Sequence, residues 1–325
     1  MQQHKPLKKS VSTNLFWDTL CCTTLIGIWP RFIEPKRLVT THKTLRFKNL
    51  PKPLHGVRIL QFSDLHFHAK MPKDHLKKIL RTIDSHRPDI VLFTGDMLCF
   101  GEMPEQQTLL SFLKAIEAPN GCFACLGNHD YNGYIGLNDN GDYDIIPPPK
   151  SSVMRGFKRL FQSITLTKSV GSNAQKAKIN AQLNNLFEKS PFQLLQNKAV
   201  QVPFGNAKLN ICGFGEHMAG NINPHKAYQN YDARFPGILL LHNPDGIPSL
   251  LNFPGNAILC GHTHGGQVNL PFLWKKFCKM ENPQFKSGAH QIDDKWIYVN
   301  RGVGSTLPFR LFSPPELLLL TLESQ

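Results

Sequence analysis

The chain has no apolar run long enough for a confident membrane span, no cysteine framework and few acids. Residues 15–33 are mostly apolar, but Asp18 and Pro30 interrupt them, and a span needs about 20 apolar residues in succession. No small-residue cleavage site follows, which argues against a removed signal peptide. The eight cysteines are scattered over 325 residues, which excludes a disulfide-stapled scaffold and points to a reducing compartment for the catalytic part. Cys122-Phe-Ala-Cys125 lacks a second pair to complete a zinc site and reads as strand packing. Only 23 acids stand against 37 Lys and Arg, a formal charge of +14. That surplus favours an anionic partner: a phosphorylated substrate, an anionic membrane surface or nucleic acid. No nucleic-acid-binding motif appears at its required spacing, so no nucleic acid partner is expected. Internal repeats and long polar tracts are also missing, and a hydrophobic content of 41% supports a sizeable core.

What is present begins with a basic and apolar N-terminal segment over residues 1–50. Lys5, Lys8 and Lys9 precede Phe16, Trp17, Leu20, Leu25, Ile26, Ile28 and Trp29, and Arg31, Lys36 and Arg37 follow. This composition suits a membrane-surface anchor; the plainer alternative is a helix packed on the domain. Were the segment to span, its lysines would place the N-terminus in the cytoplasm and the catalytic part on the far side. From residue 57 the pattern alternates, with strands over 57–62, 89–94 and 121–126 and helices over 75–85 and 108–116. Such alternation predicts α/β layers with a largely parallel sheet. Residues 131–198 interrupt the rhythm as an insertion. Within it, 151–168 is a basic amphipathic stretch, either a surface helix or a lid, and 176–189 reads as a second helix. Strands return over 208–212, 237–241, 257–259, 296–300 and 316–322.

Five clusters carry chemistry: Asp64-Leu-His66, Gly95-Asp96, Gly127-Asn128-His129-Asp130, His242 and Gly261-His262-Thr-His264. Each follows a predicted strand, where open α/β sheets collect ligand sites. Two divalent metals bridged by a carboxylate activate water and neutralise phosphate oxygens together, and they take hard oxygens plus imidazoles. On this reading Asp64 and His66 reach one ion, Asn128 and His242 serve the second, and His262 and His264 can be split between the two. Asp96 is the shared carboxylate. Asp64 and His66 reach one ion together if the chain is extended after its strand. His129 stays outside the shells as a general acid or a cation for developing charge, with Asp130 holding its ring. Any one cluster arises readily by chance; five in order after strands do not.

These clusters match, complete and in order, the five signatures of the calcineurin-like metallophosphoesterases, which the chain resembles from about residue 57 to 322 outside the insertion. Phe62-Ser-Asp-Leu-His66, Leu241-His-Asn-Pro-Asp245, Cys260-Gly-His-Thr-His-Gly-Gly-Gln267 and Val299-Asn-Arg-Gly-Val-Gly304 are similar to the membrane-associated bacterial phosphodiesterases of that superfamily. The resemblance implies a four-layer αββα sandwich over residues 51–325, two divalent ions, commonly manganese, and attachment to the bacterial inner membrane with the catalytic domain cytoplasmic. The branch includes an enzyme of lipid A synthesis, which implies an amphiphilic nucleotide-lipid substrate, UDP-2,3-diacylglucosamine. Phe157, Leu160 and Phe161 are then candidates for acyl contact, and Arg155, Lys158, Arg159, Arg301 and Arg310 for phosphate contact. The alternative for Arg301 and Arg310 is pairing within the C-terminal loop. Competing functions are a general membrane-associated phosphodiesterase and a non-catalytic binding module. The last ranks lowest because no ligand is missing.

Overall fold

A computed structural model of the chain describes residues 11–151, 154, 161, 164–307 and 309–325. Its strands are β1 (Val39–Phe47), β2 (Arg58–Phe62), β3 (Ile90–Thr94), β4 (Cys122–Cys125), β5 (Ile135–Leu137), β6 (Tyr143–Ile145), β7 (Phe192–Leu194), β8 (Lys198–Phe204), β9 (Ala207–Gly213), β10 (Gly237–Leu240), β11 (Ala257–Cys260), β12 (Gly288–Ile292), β13 (Lys295–Val299) and β14 (Glu316–Ser324). Twelve of them form two six-stranded sheets, ordered β1-β14-β2-β3-β4-β7 and β12-β13-β11-β10-β9-β8, and β5 and β6 form a hairpin in the insertion. Parallel pairing dominates both. β14 runs antiparallel to β2, and the second sheet has antiparallel edges in β8 and β12.

The strands read as continuous apolar runs because both faces are buried. Period two sends Ile59, Ile90, Leu92, Leu318 and Leu320 into a core shared with Ile211, Ile238, Leu240 and Leu259 of the other sheet. Their neighbours Leu60, Val91, Phe93, Leu317 and Leu319 face outward. There they meet Leu76, Ile79 and Ile83 of the helix Lys73–His86, Leu109, Phe112 and Leu113 of the helix Gln106–Lys114, and Leu183, Leu186 and Phe187 of the helix Ala181–Glu188. On the second sheet, Leu239, Leu241, Ile258 and Ile297 pack under short helical turns around Ile247, Leu250 and Phe285. The order is helix, sheet, sheet, helical turns.

Two expectations shift. The N-terminal segment does not extend to residue 50, because Val39–Phe47 is a sheet strand paired in register with β14. Its β-branched residues Val39, Thr40, Thr41 and Thr44 favour that state. In the amphipathic stretch 151–168, Met154 and Phe161 are helical, 164–168 is irregular, and 152, 153, 155–160, 162 and 163 lie outside the described residues.

The helix Val11–Thr23 runs into a wider-turned segment, Thr24–Ile33, that contains Pro30. No helix among the described residues is long and apolar enough to cross a membrane. The segment is fastened to the domain through Glu34, which is buried. Its carboxylate accepts the Trp29 indole N–H at 2.8 Å, the Phe312 N–H at 3.0 Å and the Ser313 N–H. Glu34→Ala leaves three donors without an acceptor, and a buried unpaired donor costs about 1–3 kcal/mol. We expect a loss on the order of 3 kcal/mol in urea unfolding of the full chain.

Candidate metal centre

All five clusters sit at the C-terminal ends of strands, from β2, β3 and β4 of one sheet and β10 and β11 of the other, so the site straddles the inter-sheet seam. Buried Gln61 crosses that seam. Its amide N–H groups donate to Thr94 Oγ1 at 2.6 Å and the Cys260 carbonyl at 3.3 Å, and its oxygen accepts from Asn300 at 2.7 Å. The loops are tight. Asp64, His66, Asp96, His262 and His264 all take positive φ, between 47° and 71°. Asp64 and His66 therefore converge through left-handed turns, not through the extended chain expected from their spacing. Non-glycine residues there are uncommon and cluster at functional sites. A Cβ at Gly127 would land on the Asp96 carboxylate and 2.7 Å from the His242 ring, so only glycine admits the two loops.

Asp96 stands at the centre. Its Oδ1 accepts the His129 N–H at 2.9 Å. Its Oδ2 faces His242 Nε2 at 3.2 Å and His66 Nε2 at 3.6 Å. On one side, Asp64, His66 and His264 bring donor atoms within 4.8 Å of one another; on the other, Asp96, His242 and His262 do the same. Asn128 joins the second group: its amide N–H donates to the Ile135 carbonyl at 2.7 Å, turning its oxygen to His262 Nδ1 at 3.0 Å. His242 Nδ1–H donates to the Thr94 carbonyl at 2.7 Å, which aims Nε2 inward. His66 Nε2 and His264 Nε2 lie 2.9 Å apart. Lone pairs crowded face to face, with two carboxylates among them, fit two hard divalent cations.

Electrostatics agree. Burial lowers His66 to about 4 and His262 to about 3, and it holds His264 well below its ordinary value. These rings stay neutral, as ligands must. Burial raises the Asp64 carboxyl to about 7. Burial also works to lower His242, but the neighbouring Asp96 reverses this and holds it well above its usual range. A proton and a cation therefore compete for His242 Nε2.

His129 also comes within 4.8 Å of His66 and Asp96 through its donor atom, but it is held differently from the other imidazoles. Its Nδ1 accepts the Phe100 N–H at 2.9 Å, so the neutral ring carries its proton on Nε2. That nitrogen lies 4.0 Å from Asp96 Oδ2. The ring is held by Phe100, His66 and Tyr134, at centroid distances of 5.0, 4.6 and 4.4 Å. Asp130 does not hold it, contrary to the sequence reading. Asp130 is fully buried and accepts the N–H groups of Asp96 at 2.8 Å, Leu98 at 2.9 Å and Gly127 at 2.9 Å. It locks the loops after β3 and β4 together.

Arg310 is also turned inward rather than toward substrate. The buried guanidinium donates to the carbonyls of Arg301, Gly302, Gly304 and Ser313, and it meets His264 Nδ1 at 3.1 Å. Arg301 pairs with Glu316 at 3.2 Å. Both arginines thus follow the loop-pairing alternative. Arg155, Phe157, Lys158, Arg159 and Leu160 lie outside the described residues; Phe161 is described and 80% exposed.

The centre opens into a cavity of about 480 Å³. Tyr134, Leu137, Ile146, Ile164 and Leu166 of the insertion give it an apolar wall, and Asn243, Gln267, Lys276 and Lys279 give it polar and cationic groups. Motif spacing carried no signal for the insertion residues or the two lysines. Glu281 ties the insertion across the cavity, accepting from Tyr143 at 3.0 Å, contacting His217 at 2.9 Å and pairing with Lys168 at 3.8 Å.

Paired sheets with a dinuclear donor set at their common edge define the class, and the profile of the calcineurin-like phosphoesterases matches residues 57–266. The chain belongs to that family and is a metal-dependent phosphoester hydrolase. It is similar to the UDP-2,3-diacylglucosamine pyrophosphatase LpxG of Chlamydia muridarum, 37% identical over 310 residues that cover 91% of this chain and 92% of the relative. LpxG of Chlamydia trachomatis is also 37% identical, covering 93% and 94% of the two chains. The phosphodiesterase YaeI of Escherichia coli is 25% identical and covers 86% of each.

Two variants separate the roles of adjacent residues. His129→Ala is expected to lower kcat by about 10²–10⁴-fold with metal content retained. Asp130→Ala is expected to lower metal content itself, because it frees the two ligand loops; elemental analysis of the purified proteins reads the difference.

Proposed function

We propose that this chain hydrolyses the pyrophosphate bond of UDP-2,3-diacylglucosamine, giving 2,3-diacylglucosamine 1-phosphate and UMP, with manganese as the metal. The carrying observation is that one cavity joins the metal donor set to an apolar wall and to two lysines. A diphosphate with two acyl chains needs all three surfaces. The likeness to LpxG over nine-tenths of both chains supports the same reading.

Asp64, His66, Asp96 and His264 would hold one ion, and Asp96, Asn128, His242 and His262 the other. When bound, the two ions supply the charge that neutralises phosphoryl oxygens and acidifies a water. The remaining work belongs to the chain. His129 presents its Nε2–H to the phosphoryl oxygen that gains charge, and the Phe100 N–H fixes which nitrogen carries that proton. Lys276 and Lys279 attract the diphosphate. Leu137, Ile146, Ile164 and Leu166 receive acyl chain and exclude water from the reacting phosphorus. An anionic membrane surface, that of the bacterial inner membrane facing the cytoplasm, is the proposed place of encounter, with the N-terminal segment lying along it.

Incubation of the purified protein with manganese and UDP-2,3-diacylglucosamine should release UMP by mass analysis. Chelation should abolish the reaction and manganese restore it, and Asn128→Ala should lack it. A hundredfold preference for a simple aryl phosphodiester, about 2.7 kcal/mol of discrimination, would instead mark a general phosphodiesterase.

A further inference from the structure

We propose that the loop 268–279 is a second membrane-docking element, seated on an anionic lipid surface with Phe272 inserted among the acyl chains. It rests on the membrane encounter proposed above and adds a part of the catalytic domain that makes the contact.

Phe272 is 89% exposed, the most exposed large hydrophobic among the described residues. Its φ is 62°, and that of Phe312, half exposed on the adjoining loop, is 56°. A bulky residue in the left-handed region is an outlier, and such backbone marks functional segments. Here two strained positions each hold a phenyl ring toward water. The loops are joined: Val268 bridges Leu311, the Asn269 N–H donates to the Leu311 carbonyl at 2.8 Å, and the Asn269 amide donates to the Phe312 carbonyl at 3.2 Å. Phe312 in turn lines a hollow with Leu25, Trp29 and Pro314. Through that hollow the loop adjoins the N-terminal segment, whose exposed apolar side chains include Leu25, Ile26, Ile28 and Phe32.

Charge selects the partner. Residues 268–279 contain Lys275, Lys276 and Lys279 and no acid, and Lys275 is exposed. Aromatic tips among lysines complement an anionic bilayer, where rings enter the interface and ammonium groups meet the headgroups. A second copy of the chain would oppose like charges at the same face. The position also serves the reaction. Lys276, Phe277 and Lys279 from this loop, with Thr306 and Leu307 opposite, line the cavity. Docking here sets the cavity mouth against the bilayer, so an amphiphile enters without crossing water.

Full-length Phe272→Ser, Lys275→Glu and the double variant would be co-sedimented with phosphatidylcholine vesicles with and without phosphatidylglycerol. Turnover of a soluble aryl phosphodiester without vesicles, expected unchanged, reports the intact fold and centre. Phe272→Ser should lower partition to both vesicle types, and Lys275→Glu should lower it on anionic vesicles alone. The double variant should lose on the order of tenfold on anionic vesicles. Partition equal to that of the parent chain would overturn the proposal. So would a change in sedimentation state in place of a change in partition, since that would make the face a contact between copies. Neither readout uses the lipid nucleotide, so failure here is distinct from failure of the substrate reading.

Discussion

The centre depends on one carboxylate placed between two sheets. Asp96 gives one oxygen to the His129 backbone and turns the other to imidazoles from both sides. Its own position is held by the Asp130 carboxylate, which grips the loop after β3 at Asp96 and Leu98 and the loop after β4 at Gly127. Shared ligation requires that these loops approach closely, and the missing side chain at Gly127 permits it. Short parallel strands deliver every ligand loop to the same edge, so the sandwich acts as a rigid mount for strained turns.

A second set of contacts links the N-terminal segment to the same centre. Glu34 binds the loop at Phe312 and Ser313, and the Arg310 N–H donates to the Pro30 carbonyl at 2.8 Å. The Arg310 side chain and the Ser313 hydroxyl then meet the His264 ring and carbonyl. The part of the chain richest in exposed apolar groups is thus two contacts away from a metal donor. That proximity is what the amphiphilic ligand proposed above requires: apolar surface and metal donors lie close together.

The insertion contributes surface rather than ligands. It closes the cavity with apolar side chains and is fastened at Glu281 by Tyr143 and Lys168. The metal loops define a reaction class common to a large family, whereas this wall decides what lies beside the phosphorus. On the proposed reading, substrate choice and reaction class are carried by different segments.

The sequence by itself determined strands β2–β4, β9–β11, β13 and β14, the order of the ligand clusters and the family, because these are written locally. Apolar runs such as Ile238 to Leu241 need burial on both faces, and each of the seven candidate ligands follows its strand by two to four residues. Tertiary structure alone decided the partners of Asp130 and Arg310. Asp130 is adjacent to His129 in the chain, yet its carboxylate meets N–H groups from a loop more than 30 residues earlier. Arg310 resembled a phosphate contact until five acceptors around it were brought together by the fold. The tautomer of His129 likewise depends on Phe100. Strand β1 was hidden because its pairing with β14 joins residues about 275 positions apart. Where a side chain points depends on which distant backbone donors arrive beside it, and spacing along the chain does not encode that.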